Sequence, residues 1–251
     1  MQFYIFGQTD APRIILIHGV LCPWQVLREH AELLAEKYCV IVPALDGHDG
    51  TDEEFVSTEQ QAEKIENYCI EHFGSDVFAV CGQSMGGVIA HHIWANGRLR
   101  CRHVIMDGAP LVPAGAIPTA VMTHSYIDIL RGSKARRKRT LENFKKHFLP
   151  ERFLPDYLAF IDHMNEKSLR SLLRSVFHSR LRTDIRSDAR VLFLHGTAAN
   201  ELLAVKSAKL IKKHYSDAAV IRFDGAAHCE MALSDPNGWC GIIMDFCENN
   251  G

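Results

Sequence analysis

Residues 76–96 read DVFAVCGQSMGGVIAHHIWAN, and this stretch decides the fold. An apolar run from Val77 to Cys81 has the character of a buried strand. The run breaks on Gly82-Gln83-Ser84-Met85-Gly86-Gly87, after which Val88, Ile89, His92 and Ile93 recur at helical spacing. Strand, sharp turn and helix with a serine at the apex is the context that gives a G-x-S-x-G pattern chemical meaning. Gly82 and Gly86 have a steric task there, because a side chain at either would crowd strand against helix. The turn forces a strained backbone on the serine, lifts its hydroxyl clear of the sheet and sets it beside the first amides of a helix. Those amides favour a developing negative charge. Ser84 is the candidate nucleophile.

Outward from this turn, strand-like and helix-like segments alternate. Residues 3–6 suit an edge strand and residues 13–17 (RIILI) a buried one, ending on His18-Gly19-Val20-Leu21-Cys22-Pro23-Trp24. An apolar stripe of Val26, Leu27, Ala31, Leu33 and Leu34 predicts a helix over about 24–37. Residues 38–43 (YCVIVP) read as a strand, followed by the turn-rich ALDGHDGTD. Ser57-Thr58-Glu59-Gln60 fits a capping box opening a helix that runs to about Phe73. A strand over 103–106 ends on Asp107-Gly108-Ala109-Pro110. The rhythm returns with a strand at 190–195 (RVLFLH), a helix near 202–214, a strand at 219–223 and a helix near 238–247.

This alternation predicts an α/β fold with a doubly wound, mostly parallel sheet. Its core is expected over 1–110 and 189–251. Between them, 111–188 has no strand pattern and carries helical ones at 158–164 and 169–177, so it is expected to be a helical lid insertion. An insertion at that point sits over the carboxyl ends of the strands, where such sheets bind ligands. Within it, residues 131–139 (RGSKARRKR) hold six cations in nine positions. That run reads either as a solvated helix face or as a positively charged gate for anionic substrates.

Composition narrows the function classes. The 251 residues suit one domain with room for an insertion, and 47% apolar with 23% charged residues is an ordinary soluble balance. A formal net charge of −2 gives no reason to expect a nucleic-acid partner. No apolar run is long enough to span a bilayer, and MQFYIFGQTD lacks the features of a secretory signal. Eight cysteines include no C-x-x-C pair, which points to a reduced, cytoplasmic protein and away from a metal centre.

Four features together resemble the α/β-hydrolase superfamily over essentially the full length. They are His18-Gly19 after a buried strand, the Gly47-His48-Asp49-Gly50 turn, the Ser84 turn, and Gly225-Ala226-Ala227-His228 near the carboxyl terminus. The resemblance implies that His228 is the general base and that the backbone amides of Val20 and Met85 form an oxyanion hole.

The chemistry leads to the same base. A serine hydroxyl is a poor nucleophile near neutral pH and needs a base within hydrogen-bond reach. Histidine can take that proton and return it to a leaving group. Of fourteen histidines, His30, His72, His147, His163 and His214 sit in charged, amphipathic surroundings and read as surface residues. One of His91 and His92 is expected to pack against the sheet, and His18 and His48 read as turn-stabilising. His228 follows a strand and a small-residue turn, where packing does not call for an imidazole.

A carboxylate must fix the tautomer of that base. The superfamily usually places it after the strand that follows the lid, where this chain reads His195-Gly196-Thr197-Ala198-Ala199-Asn200-Glu201. Ala199 or Asn200 stands where an aspartate is expected. Some esterases resembling this chain draw the acid from the preceding strand, where Asp107-Gly108-Ala109-Pro110 lies. Asp107 is therefore the first choice and Glu201 the second.

The expected activity is hydrolysis of a carboxylic ester with a small or medium acyl group, through an acyl-enzyme and without metal or organic cofactor. Thioester, amide or carbon–carbon bond hydrolysis, and acyl transfer, use the same machinery. A ligand-binding protein without turnover is the remaining alternative. The expected partner is a small ester-like molecule, and the sequence does not reveal an oligomeric state.

Overall fold

Buried apolar runs build the interior of one seven-stranded sheet, in the order β1-β3-β2-β4-β5-β6-β7. The structure, a computed structural model, describes residues 1–147 and 149–248, with the backbone alone at His147. The surface position expected for the His147 side chain, and residues 249–251 of the expected core, lie outside what is described. The strands are β1 Gln2–Phe6, β2 Arg13–Ile17, β3 Cys39–Ala44, β4 Asp76–Gln83, β5 Arg100–Asp107, β6 Arg190–Gly196 and β7 Ala219–Phe223. β1 pairs antiparallel with β3, and every other pairing is parallel. Ile14, Ile15, Leu16 and Ile17 of β2 are fully buried, which is why that strand reads as an unbroken apolar run.

The helices are α1 Arg28–Leu34, α2 Thr58–Phe73, α3 Met85–Asn96, α4 Ala116–Lys134, α5 Lys138–His147, α6 Leu154–Ile161, α7 Glu166–Phe177, α8 Leu202–His214, α9 Glu230–Ser234 and α10 Pro236–Glu248. Ser57 caps α2 by accepting the Gln60 N–H at 3.2 Å, worth about 1 kcal/mol. The step from β2 to β3 runs opposite to the later steps across the sheet. With right-handed crossovers, α1 therefore covers one face and α2, α3 and α8 the other. The order reverses between β2 and β4, so the loops leaving their carboxyl ends flank a crevice suited to a ligand.

Among the boundaries that differ from the sequence reading, two have a plain physical cause. The helix expected over 24–37 splits into a 3-10 turn, Trp24–Leu27, and the shorter α1. β5 begins three residues early because Arg100 and Arg102 stay exposed at its start, masking the strand from an apolar-run criterion.

Among the described residues of 111–188 are α4 to α7 and no strand. Phe55 N–H donates to Ser168 Oγ at 3.0 Å and Arg182 N–H to His91 Nε2 at 3.0 Å, fixing this layer to the core. Half of the basic run is used to tie this layer together. Arg131 forks onto Glu166 at 2.6 and 2.9 Å, Arg136 onto Asp162 at 2.8 and 2.6 Å, and Lys134 donates to the Asp162 carbonyl at 2.9 Å. Three of the six cations thus tie α4 and the turn after it to the segment around α6 and α7.

Candidate active site

Ser84 sits between β4 and α3 at φ 54°, a left-handed conformation that a side chain adopts only under constraint. The flanking glycines supply that constraint. A Cβ on Gly82 would overlap the Gly86 carbonyl, and one on Gly86 would overlap the Ile17 carbonyl of β2. Gly87 is less crowded but still tight, with Ala109 Cβ 2.7 Å from where its own Cβ would stand. The Ser84 N–H donates to the Asp107 carbonyl at 2.7 Å, stitching the turn to the end of β5.

His228 Nε2 lies 2.8 Å from Ser84 Oγ, with 33% of the His228 side chain exposed. Its other nitrogen, Nδ1, meets the Glu201 carboxylate directly. Glu201 is fully buried in the turn after β6, and its second oxygen accepts the Gly196 N–H at 3.1 Å. With Nδ1–H directed at the carboxylate, Nε2 is left to accept the serine proton. The two loops are fastened to one another. Thr197 and Ala198 N–H donate to the Ala226 carbonyl at 3.1 and 3.0 Å, and Gly225 N–H to Thr197 Oγ1 at 2.7 Å.

Asp107, the first choice as partner of His228, is not in that contact. Its carboxyl is 2% exposed and accepts the Trp239 indole N–H of α10 at 2.9 Å. Burial pushes it up to about 7, against the Trp239 hydrogen bond and the His228 charge, with Glu201 pushing it further up. The contact falls to the second choice, Glu201. A glutamate one or two residues beyond the usual position can reach back because it has one more methylene and the chain turns through a 3-10 step, Ala199–Glu201.

Val20 lies in the loop after β2, whose Gly19 passes beside Ser84. A Cβ on Gly19 would stand 3.4 Å from Ser84 Cβ. Met85 opens α3, so its amide is one of the first-turn donors without an intrahelical acceptor. Two histidines shape the loop that carries Val20. His18 Nε2 accepts the Leu45 N–H at 3.2 Å and His48 Nε2 accepts the Leu21 N–H at 3.1 Å, with Leu21 itself left-handed at φ 51°. Burial lowers these imidazoles to about 4 and about 3, so both are neutral acceptors near pH 7. The Leu21 bond was missed at the sequence level, where the only signal was the pairing of H-G and G-H-D-G turns.

His30, expected at the surface, is 1% exposed and bonds the Ala232 carbonyl at 2.9 Å beneath Trp239. A polar helix face against a second helix, not against water, is what the local pattern could not distinguish. Among the described residues no group of three or more His, Cys, Asp or Glu is arranged to hold a metal ion, and no helix is long and apolar enough to cross a membrane.

The family model for the alpha/beta hydrolase family matches residues 14–240. No curated protein matches the chain. Among solved structures, one similar chain is a protein from Desulfitobacterium hafniense assigned to the alpha/beta hydrolase family. It is 22% identical at a TM-score of 0.78, with 98% of this chain and 99% of that one covered. A marine microorganism esterase is 19% identical at a TM-score of 0.74, covering 98% of each. A thermophilic esterase from Thermogutta terrifontis is 15% identical at a TM-score of 0.73, covering 99% and 93%. At these identities the likeness is one of fold.

Proposed function

The chain belongs to the alpha/beta hydrolase family, and from that premise we propose that it is a serine hydrolase cleaving carboxylic esters of small or medium acyl groups. The observation that carries the reading is the unbroken chain from Ser84 Oγ through His228, at 2.8 Å, to the buried Glu201 carboxylate. In this reading Ser84 attacks the ester carbonyl as His228 Nε2 takes its proton. The Val20 and Met85 amides hold the oxyanion, each donor worth about a hundredfold or more in rate. Collapse expels the alcohol, protonated by His228, and leaves an acyl-serine. Water, deprotonated by His228, then attacks and releases the acid. Glu201 holds the imidazole in the reactive tautomer and balances its charge when protonated.

Residues 111–188 serve as the lid. Phe160 of α6 stacks on His48 at 5.2 Å, which supports placing that layer over the Val20 loop. Burial pushes the α4 phenol of Tyr126 up to about 12, with the Cys22 and Cys229 thiols of the site loops adding to the shift. All eight cysteines are free, in keeping with a cytoplasmic setting.

The test is turnover of ester, thioester and amide versions of one acyl group by wild type and Ser84→Ala. Ester turnover that leads the other two and falls by about a millionfold in the variant supports the reading. Preference for the thioester or amide would move the scissile bond while keeping the machinery. Ester turnover undiminished in Ser84→Ala would remove Ser84 as nucleophile.

A further inference from the structure

The turn that carries His228 is closed by a residue with no part yet in the proposed chemistry. Glu230 stands two positions after His228, and its carboxylate accepts the Ala227 N–H, one position before His228, at 2.6 Å. The Glu230 N–H in turn donates to the Ala227 carbonyl at 3.2 Å. Ala227 and Glu230 thus bracket His228 and Cys229 with two bonds. The first is the return half of a capping box, in which a glutamate reaches back to the amide three residues earlier. Its acceptor is charged, which makes such a bond short and about twice as strong as a neutral one. The helix that follows, α9, has only five residues and little stability of its own to protect.

What the bracket does hold is strain. Cys229 has φ 52°, a left-handed conformation that a side chain keeps only where its surroundings over-determine it. Ser84 is left-handed as well, and the two residues share one anchor. The Asp107 carbonyl accepts the Ser84 N–H at 2.7 Å and the Cys229 thiol at 3.6 Å. The imidazole lies close against the end of β5, where a Cβ on Gly108 would stand 2.8 Å from His228 Cε1. With 33% of its side chain exposed, however, the ring is not held by packing alone. Its 2.8 Å reach to Ser84 Oγ therefore rests on the backbone of its own turn. Glu201 orients the ring from Nδ1, and Glu230 fixes the backbone from which the ring projects.

We propose that Glu230 is a positioning residue, acting through the Ala227 amide to hold His228 Nε2 at Ser84 Oγ. Its effect on rate rests on the hydrolysis proposed above, whereas its effect on the imidazole rests on the bracket alone. The requirement is for reach and an acceptor oxygen, not for charge. Glutamine has both. Aspartate keeps the charge but is one methylene short of the Ala227 amide.

The test compares Glu230→Ala, Glu230→Asp and Glu230→Gln with wild type in the full chain, all at an exposed position. For an ester, kcat should fall about tenfold to a hundredfold in the alanine and aspartate variants, with KM within about threefold of wild type. Glu230→Gln should stay within about threefold of wild type on both. Proton NMR reads the imidazole without turnover. The downfield Nδ1–H resonance, identified by its loss in His228→Gln, should be sharp in wild type and Glu230→Gln and broadened in the other two. That pattern in a protein without ester turnover would support the positioning role while removing the ester reading. Turnover that depends on Ser84 yet is unchanged in Glu230→Ala would overturn the positioning role and leave the ester reading intact. Full activity in Glu230→Asp with loss in Glu230→Gln would overturn it too, because charge and not reach would then be at work. A kcat that falls only in step with the folded fraction, measured by urea denaturation, would reduce Glu230 to a structural residue and overturn it likewise.

Discussion

Trp239 donates its indole N–H to Asp107 at 2.9 Å, and the bond holds that carboxyl beneath the Ser84 turn instead of against His228. Asp107 is thereby a buried acid with one neutral donor, beside a Glu201 that already carries the charge facing the imidazole. The consequence is a pH dependence of stability with a definite sign. A carboxyl raised from 3.8 to about 7 in the folded state binds its proton more tightly folded than unfolded. Folding therefore weakens as pH climbs from about 4 to about 7. Asp107→Asn keeps an acceptor for Trp239 and removes the titration. Its stability relative to wild type, from urea midpoints, should be greater at pH 8 than at pH 5. An equal difference at the two pH values would contradict the buried-acid account.

The buried histidines act in the opposite direction. His18 and His30 are lowered to about 4, and His48 and His91 to about 3, all chiefly by burial. A lowered imidazole takes up its proton more readily unfolded, so stability is lost as pH falls below about 6.5 toward those values. Each group adds at most roughly 1.4 kcal/mol per pH unit in that window. Urea midpoints should drop steeply between pH 6.5 and 4.5, and His30→Gln should shrink the slope. A flat midpoint over that range would rule the histidines out as the acid-sensitive elements.

Gly87 and Ala109 form a size-matched pair across the turn, with 2.7 Å left for a second methyl. Gly87→Ala should cost about 1–3 kcal/mol through overpacking. Adding Ala109→Gly should return part of that cost, because it removes the atom in the way. A double-mutant cycle by urea denaturation measures the coupling, and simple additivity would show that the strain lies elsewhere.

His48 holds the Leu21 N–H in the loop that carries Val20. His48→Ala leaves that donor buried without an acceptor, at about 1–3 kcal/mol of stability. Because the loop would loosen beside the proposed oxyanion hole, kcat for an ester should fall about tenfold or more while KM moves less. Lost stability with unchanged kcat would mean the loop keeps its shape without the imidazole.

Much of this was legible in the sequence because the relevant signals are local. The 76–96 stretch carries its strand, its crowded glycines and its helix within twenty-one residues, and β4, Ser84 and α3 fall there. Nearest-neighbour patterns also carried the helical character of 158–164 and 169–177, which overlap α6 and α7. The choice between Asp107 and Glu201 was of another kind. It depends on Trp239, 132 residues from Asp107, and on a 3-10 turn that lets a longer acid reach back. His30 was misread for the same reason, since its acceptor at Ala232 is 202 residues away. The basic run looked like one feature, yet Glu166 and Asp162 divide it into ties between helices and an exposed remainder.

The most direct measurement is the rate of labelling by a fluorophosphonate, which reacts with activated serines, in wild type, Ser84→Ala, Glu201→Gln and Asp107→Asn. Labelling should vanish in Ser84→Ala. It should slow by about a thousandfold or more in Glu201→Gln and stay within about tenfold of wild type in Asp107→Asn. Rapid labelling of Glu201→Gln with slow labelling of Asp107→Asn would hand the role back to Asp107. A wild type that does not label at all would contradict the activated serine itself.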